Sequence, residues 1–542
     1  MNRRFFLQLS AFAAASSLIH WNFAEAAPPQ TPGTYDAVVV GAGLGGLVCA
    51  AYLSRHGFRT ALIEQYDIPG GYATSFTRDT DKGTFQCEVS LHSSVLASGA
   101  MRTLLEELGV WSNLTLVPHP HAWNSHFPDF SIAVPAKCGL DGFERQLAGL
   151  FPAETAGLAD LFKLWRGIMT ETATLEKGLP NSEQSQFPRL FPSLWAIHDK
   201  TVGQVVNAYI RDPKLKAVLE QSCGYYGLPP SQLSAFYYFQ PTGEYIEQGG
   251  SYIKGTSQAL SDALAKAITD AGGKTFFGTK VAEILVENGR AVGVKTDDGQ
   301  TFRAKAVVCN ASAPQVFEKL LPKGILPRQE HDRLAAYTCS PSSVIVWLGL
   351  NKNITGQFPN PESSYYTGYD LDAAYVQSMN CNFDQSGFSL MAYDNLIPGF
   401  SPQGCSSLCI VSLCGYGAWQ GLEAEYLNGG SAAYEKKKKE VTDLLIAQVE
   451  KLAIPGLSKM IIMRDSSTPL TNVRFTLNTA GAIYGYNQSV DNSFMTRQPN
   501  TTSVPGLFLA SAWGNPGGGF GGALGGGKSA FRDVAKALTS AT

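Results

Sequence analysis

The chain has 542 residues, room for roughly three to four domains or two large ones, and its 44% hydrophobic and 16% charged composition excludes intrinsic disorder. Forty-two Lys and Arg against 45 Asp and Glu leave a formal net charge of −3, which offers no electrostatic footprint for nucleic acid. Ten scattered cysteines without a CxxC spacing read as buried apolar thiols, not as a zinc or redox framework.

The N-terminus carries Arg3-Arg4, then a mildly apolar stretch to Ile19, then Ala24-Glu25-Ala26 before a Pro-rich segment. This layout reads as a twin-arginine signal peptide over residues 1–26, and it predicts export to the periplasm. The apolar stretch is shorter and more dilute than the roughly 18 residues of a spanning helix.

The Val-rich run Tyr35 to Val40 predicts a buried parallel strand. Gly41-Ala42-Gly43-Leu44-Gly45-Gly46 follows, then a helical pattern to Gly57 and a second strand, Thr60 to Ile63, ending at Glu64. This is the order of a dinucleotide-binding β-α-β unit. Gly41 permits the tight turn, Gly43 lets backbone approach a pyrophosphate at the helix N-terminus, and Gly46 lets the helix pack on the strand. Glu64 can accept hydrogen bonds from a ribose hydroxyl pair, and at this point NAD and FAD both remain open.

The segment Ile68-Pro69-Gly70-Gly71-Tyr72-Ala73-Thr74 comes next, and Glu88-Val89-Ser90-Leu91-His92 lies just beyond it. Two long stretches, 98–248 and 321–499, are rich in aromatics, among them Trp123, Phe127, Phe130, Tyr225, Tyr226, Phe236, Tyr237, Tyr238, Phe239 and Tyr245. Such side chains suit the lining of a site for an apolar planar substrate, although aromatics also dominate ordinary cores. Between the two stretches, a helix from Thr256 to Ala271 precedes strands at Val281 to Val286, Ala291 to Thr296 and onward to Val308, joined by Asn288-Gly289 and Asp298-Gly299 turns.

Lys436 to Lys439 fall on a helical pattern with Val441, Leu444, Leu445 and Val449 inward, a solvated face by default and a contact for an anionic membrane surface as the alternative. Gly506 to Trp513 predicts a strand leading into Gly514 to Gly522 and a closing helix. Gly522 to Ser529 satisfies the literal pattern GxxxxGK[ST], but no α/β domain follows it, so it reads as the start of that helix and not as a nucleotide triphosphatase loop.

These segments together resemble the phytoene desaturase, carotenoid isomerase and all-trans-retinol saturase group of FAD-dependent oxidoreductases. The most specific stretches are Gly41 to Glu64, Gly70-Gly71, Tyr245 to Leu260, Thr479 to Tyr486 and Pro505 to Ser529. The chain departs from the family pattern where Glu88 to His92 keeps the acid and His but lacks the glycine, and its Asn515 to Phe520 tail is richer in glycine.

The resemblance implies an α/β fold with a glutathione-reductase-type, Rossmann-like FAD domain, assembled from 34–97, 249–320 and 500–542. A discontinuous α+β substrate domain would take 98–248 and 321–499. FAD would contact Gly41, Gly43, Leu44, Gly46, Glu64, Gly70, Gly71, Tyr72, Ala73, Thr74, Val281, Gly514, Gly519, Phe520 and Gly521. His92, Tyr484 and Tyr486 would approach the flavin, although His92 is equally readable as a structural histidine. The implied chemistry is hydride transfer between flavin N5 and a C–C unit of an apolar isoprenoid-like substrate, with an electron donor or acceptor completing the cycle. Two alternatives are an amine-oxidase-type flavoprotein using oxygen and a non-catalytic prenyl- or lipid-binding relative. No metal is called for.

Overall fold

The last five residues of the strand Thr34–Val40 are buried in succession, as expected of a parallel strand covered on both faces. This is the axis of the first of two seven-stranded sheets in the computed structural model, which describes residues 34–175, 185–493 and 496–540. The twin-arginine segment expected over 1–26 lies outside the described residues. No helix among the described residues is long and apolar enough to cross a membrane.

Thr34–Val40 pairs in parallel with Thr60–Ile63 on one side and Thr301–Cys309 on the other, and Thr60–Ile63 pairs in parallel with Lys274–Phe276. The nine-residue strand Thr301–Cys309 is shared along its length. Its first half pairs antiparallel with Arg290–Thr296, whereas its last three residues pair in parallel with Leu507–Leu509. Three distant stretches of sequence therefore meet in one sheet. The strand expected over Gly506 to Trp513 is confined to Leu507–Leu509, because the chain then bends so that Ser511, Ala512 and Trp513 face a cavity.

The second sheet runs Ile461–Ser467, Ser342–Leu350, Ser406–Cys414, Phe388–Met391, Glu362–Tyr365, His121–His126 and Ser131–Pro135. Ser342–Leu350 is buried throughout, and its period-2 alternation sends side chains to opposite faces. Val344, Val346, Leu348 and Leu350 pack into a core with Val441, Leu445 and Val449 of the helix Ala432–Leu452. Ser343, Ile345 and Trp347 face the cavity. A separate helical layer fills around Phe162, Trp165 and Phe239, where Trp165 Nε1 donates to the Phe239 carbonyl at 2.7 Å.

The GxxxxGKS pattern lies inside the helix Gly519–Thr539, so it is no phosphate loop. Its glycines serve a helix crossing instead. A Cβ on Gly527 would stand 2.4 Å from the Gly45 carbonyl oxygen and 2.7 Å from Val48 Cβ, so glycine lets this helix lie directly on Leu44–Arg55. Lys528 points outward to Glu107 at 2.5 Å.

Candidate functional site

A single cavity of about 1300 Å³ runs from the glycine turn after the first strand to the inner face of the second sheet. Its volume exceeds the roughly 300–1,000 Å³ of an ordinary small-molecule pocket, which suits a cofactor together with a substrate.

At the first end, Gly41 turns the chain with φ of +96° and donates its N–H to the Ile63 carbonyl at 2.8 Å. Gly43 is the N-cap of the helix Leu44–Arg55, which has no side-chain cap and no acid in its first turn. The positive end of that helix therefore opens on the cavity, where Leu44 and Gly45 line the wall. A Cβ on Gly46 would lie 2.1 Å from the Gly41 carbonyl oxygen, so this glycine closes the helix onto the turn. The helix Gly519–Thr539 presents a second N-terminus without a side-chain cap or a first-turn acid, with Gly519 and Phe520 on the cavity wall.

The helix Thr256–Asp270 behaves oppositely, because a protein carboxylate already occupies its start. Glu88, fully buried, accepts from the Ser257 N–H at 2.8 Å and the Ser257 hydroxyl at 2.6 Å. It also accepts from the Tyr252 hydroxyl at 2.9 Å and from the N–H groups of Val89, Ser90 and Leu91 at 3.0–3.3 Å. Burial pushes its pKa up, while these donors hold the charged form. Trp347 Nε1 donates to the Glu88 carbonyl at 2.6 Å, which ties the segment to the second sheet.

Glu64 sits on the cavity wall at the end of the second strand and accepts from the Ala42 N–H at 2.7 Å and the Tyr66 N–H at 3.0 Å. Burial raises its pKa, and the same amide bonds oppose the shift. Gly70, Gly71, Tyr72, Ala73, Thr74 and Val281 line the same wall, with Gly70 donating to the Ala42 carbonyl at 2.8 Å. Sequence reasoning missed Asn310. It follows Thr301–Cys309, donates its backbone N–H to the Val40 carbonyl at 2.7 Å and its side chain to the Ala510 carbonyl at 2.5 Å, and so joins three strand ends on the cavity wall.

Three expected cofactor contacts, Gly46, Gly514 and Gly521, do not reach the cavity wall, Gly46 because it packs on the Gly41 turn. Gly514 packs on Asn500, whose Oδ1 would stand 2.2 Å from an added Cβ, and its carbonyl accepts from Arg497 Nε at 3.0 Å. Gly521 turns toward Met101 in the first turn of its helix. Arg497, 3% exposed, also donates to the carbonyls of Ala512, Tyr486, Asn487 and Asn492, and so pins the two segments that flank this wall.

Among the expected catalytic residues, His92 and Tyr484 line the cavity and Tyr486 does not. Tyr486 is buried edge-on to Trp513 with centroids 4.8 Å apart. Gly485 between the tyrosines has φ of +75°, and this left-handed turn breaks the alternation that would put both on one side. His92 Nδ1 lies 2.9 Å from the Tyr393 hydroxyl, and its carbonyl faces His119 Nε2 at 3.0 Å. Burial first, and His119 second, pull the His92 pKa down to about 4, so the ring is neutral at pH 7.

The expected aromatic lining is largely misplaced. Of the aromatics named from the sequence only Tyr225 reaches the cavity, while Tyr238 and Phe239 are buried in the helical layer. The lining comes instead from Trp347, Tyr365, Tyr366, Tyr375 and Phe388, with Ile345, Met391 and Val411. Seven of the ten cysteines are buried as expected, whereas Cys138, Cys339 and Cys381 are part-exposed. Cys381 Sγ stands 3.4 Å from Cys414 Sγ.

This geometry, with a β-α-β glycine turn, two open helix N-termini and a large apolar chamber beyond them, is that of a dinucleotide-cofactor oxidoreductase. The profile of the flavin containing amine oxidoreductase family matches residues 44–535, and the chain belongs to that family. It is an FAD-dependent oxidoreductase, and the open helix N-termini and the wall carboxylate of Glu64 fit that cofactor. The chain is similar to prolycopene isomerase 2 of an Oncidium hybrid cultivar, at 26% identity over 92% of this chain and 82% of that protein. It is also similar to the neurosporene-forming phytoene desaturase of Rhodobacter capsulatus, at 25% identity over 92% of this chain and 94% of that protein. An oxidoreductase from Methanosarcina mazei shares the fold, with a TM-score of 0.59, 17% identity, and coverage of 92% of this chain and 99% of that one.

Proposed function

We propose that the protein moves a hydride between a C–C unit of an apolar, unsaturated, isoprenoid-like substrate and FAD, with a proton exchanged at the neighbouring carbon. The continuous cavity carries this reading, since its far wall of Ile345, Trp347, Phe388, Met391 and Val411 is apolar and joins the glycine turn without interruption. When bound, FAD supplies the two-electron chemistry.

The protein's own residues position and exclude water. The Leu44 and Gly45 amides would hold the diphosphate, Glu64 the ribose hydroxyls, and Val281 the adenine side. Tyr72, Trp513 and Phe520 would wall the ring system. In His92, Nδ1 is engaged by Tyr393, which leaves Nε2 without a protein partner among the described residues. A neutral imidazole there can take or return the proton.

Two relatives of nearly equal identity are named as an isomerase and a desaturase, so the net direction is a matter for experiment. Anaerobic reduction of the flavin followed by air distinguishes the readings. Slow reoxidation is expected here, whereas rapid reoxidation with peroxide would favour an amine-type oxidase. A purified protein without a flavin spectrum would instead favour a non-catalytic lipid binder. Mass spectrometry of apolar material that co-purifies would name the substrate class.

Export to the periplasm through the twin-arginine motif at Arg3-Arg4 belongs to the same reading, as does an external electron partner. Peripheral membrane contact is supported by Ile68 and Phe475, 51% and 53% exposed on the cavity wall beside Arg474 and Lys438. Lys436 and Lys439 do not add to it, since they face Glu440 and Asp443 one helical turn on.

A further inference from the structure

The apolar part of the cavity contains one group that its surroundings do not explain. Glu220 ends the helix Pro213–Glu220, lines the cavity and is 8% exposed. Its carboxyl has no hydrogen-bond partner among the described residues. Its oxygens are not sealed off and keep contact with the cavity space. Leu228, Leu371, Ala374 and Tyr375 line the cavity with it. Gln221 Nε2 is engaged by the Val218 carbonyl at 2.8 Å and Asp372 by the Ser231 N–H at 3.2 Å, while Lys216, one helical turn back, acts on Glu220 through its charge without an ion pair among the described residues.

An unpaired buried carboxyl costs free energy that a partner would recover. We propose that Glu220 forms a polar subsite that takes the carbonyl or hydroxyl end of an otherwise apolar substrate. This rests on the apolar-substrate reading of the cavity and adds that the substrate bears oxygen at one end. A neutral carboxyl both donates and accepts, so it suits either group. Burial, and then the charge of Asp372, raise the Glu220 pKa to about 8, with Lys216 opposing, so the carboxyl holds its proton at pH 7. Cys223 and Tyr238, which also lie close, are themselves pushed well above neutrality by burial and remain uncharged.

The test is binding to the flavin-loaded protein, measured by headspace gas chromatography with 2-undecanone, undecane and 2-aminoundecane. Wild type is expected to hold the ketone roughly tenfold more tightly than the hydrocarbon, the worth of one buried hydrogen bond. That preference should fade above about pH 8, because a carboxylate has no proton to give a carbonyl. Glu220→Gln, which keeps a donor and cannot ionise, should retain the preference without its pH dependence. Glu220→Leu, which removes an unpaired polar group and so keeps the fold, should bind ketone and hydrocarbon alike. Equal binding of the two by wild type, or an unchanged preference in Glu220→Leu, would overturn the subsite alone. Tightest binding of the amine would overturn it in favour of a cation site. Binding of none of the three would overturn the apolar-substrate reading and the subsite with it.

Discussion

The Tyr393 hydroxyl stands between two groups of one segment, 2.9 Å from His92 Nδ1 and 3.2 Å from the Leu91 carbonyl. A hydroxyl has one hydrogen, so when Tyr393 donates to Leu91 the imidazole must carry its proton on Nδ1 and present a bare Nε2 to the cavity. Tyr393→Phe should therefore lower turnover by roughly tenfold with flavin content unchanged, and His92→Ala by roughly 100-fold or more. Steady-state rates beside the visible spectrum check both. Tyr484→Phe belongs in the same series as a cavity variant, and Tyr486→Phe should leave the rate unaltered.

His92 and His119 both have pKa values pulled down to about 4, by burial in each case. The unfolded chain takes up these protons near pH 6.5, before the folded protein does. Stability is therefore unaffected above that pH and falls as the pH drops toward 4, by about 3 kcal/mol for each histidine. Thermal melts of wild type and His119→Gln from pH 7.5 to 4 should diverge over that window, the variant losing less.

Glu88 is held by six donors, three of them backbone amides of its own segment. Glu88→Gln places an NH₂ against N–H and O–H groups and removes the charge at a helix N-terminus. Its cost is expected to be roughly 2–3 kcal/mol, read as a lowered denaturation midpoint. His92 lies four residues on, so activity should fall further than stability alone explains.

The helix crossing separates a packing motif from a nucleotide motif. Gly527→Ala drives a methyl into the Gly45 carbonyl and should cost roughly 1–3 kcal/mol, with loss of bound flavin. Lys528→Ala, which would disable a phosphate loop, should leave flavin content intact. Flavin released on denaturation and measured by fluorescence reads both outcomes.

The Cys381 pKa is lowered to about 7, first by its contact with Cys414 and then by the charge of Lys437 against burial. It is also part-exposed. Brief iodoacetamide treatment at pH 7 should label Cys381 ahead of the buried thiols, with peptide mass spectrometry as the readout. In Cys414→Ser the label should slow.

The cofactor half of the site was legible because its constraints are local. A turn with φ of +96° at Gly41, a helix start at Gly43 and a carboxylate closing the next strand are all written within a few dozen residues. The lining aromatics were not, because Tyr238 and Tyr366 look alike in sequence and differ only in which layer folds over them. Gly46, Gly514 and Gly521 lie off the cavity wall for a related reason, since a glycine serving a helix crossing, Asn500 or a helix turn carries the same letter as one at the cavity. Glu220 was invisible to sequence reasoning. What marks it is a partner that is missing in three dimensions.

The pairing of Val307 with Leu507 sets the order of manufacture. An emerging chain can lay down its first crossover early, but the strip Ser511 to Ala523 that completes the chamber is made long after the strand Thr301–Cys309 beside it. The pocket therefore closes only once Leu507–Leu509 has been made and paired, and a nascent chain stalled near residue 500 would offer chaperones an open-sided half of it.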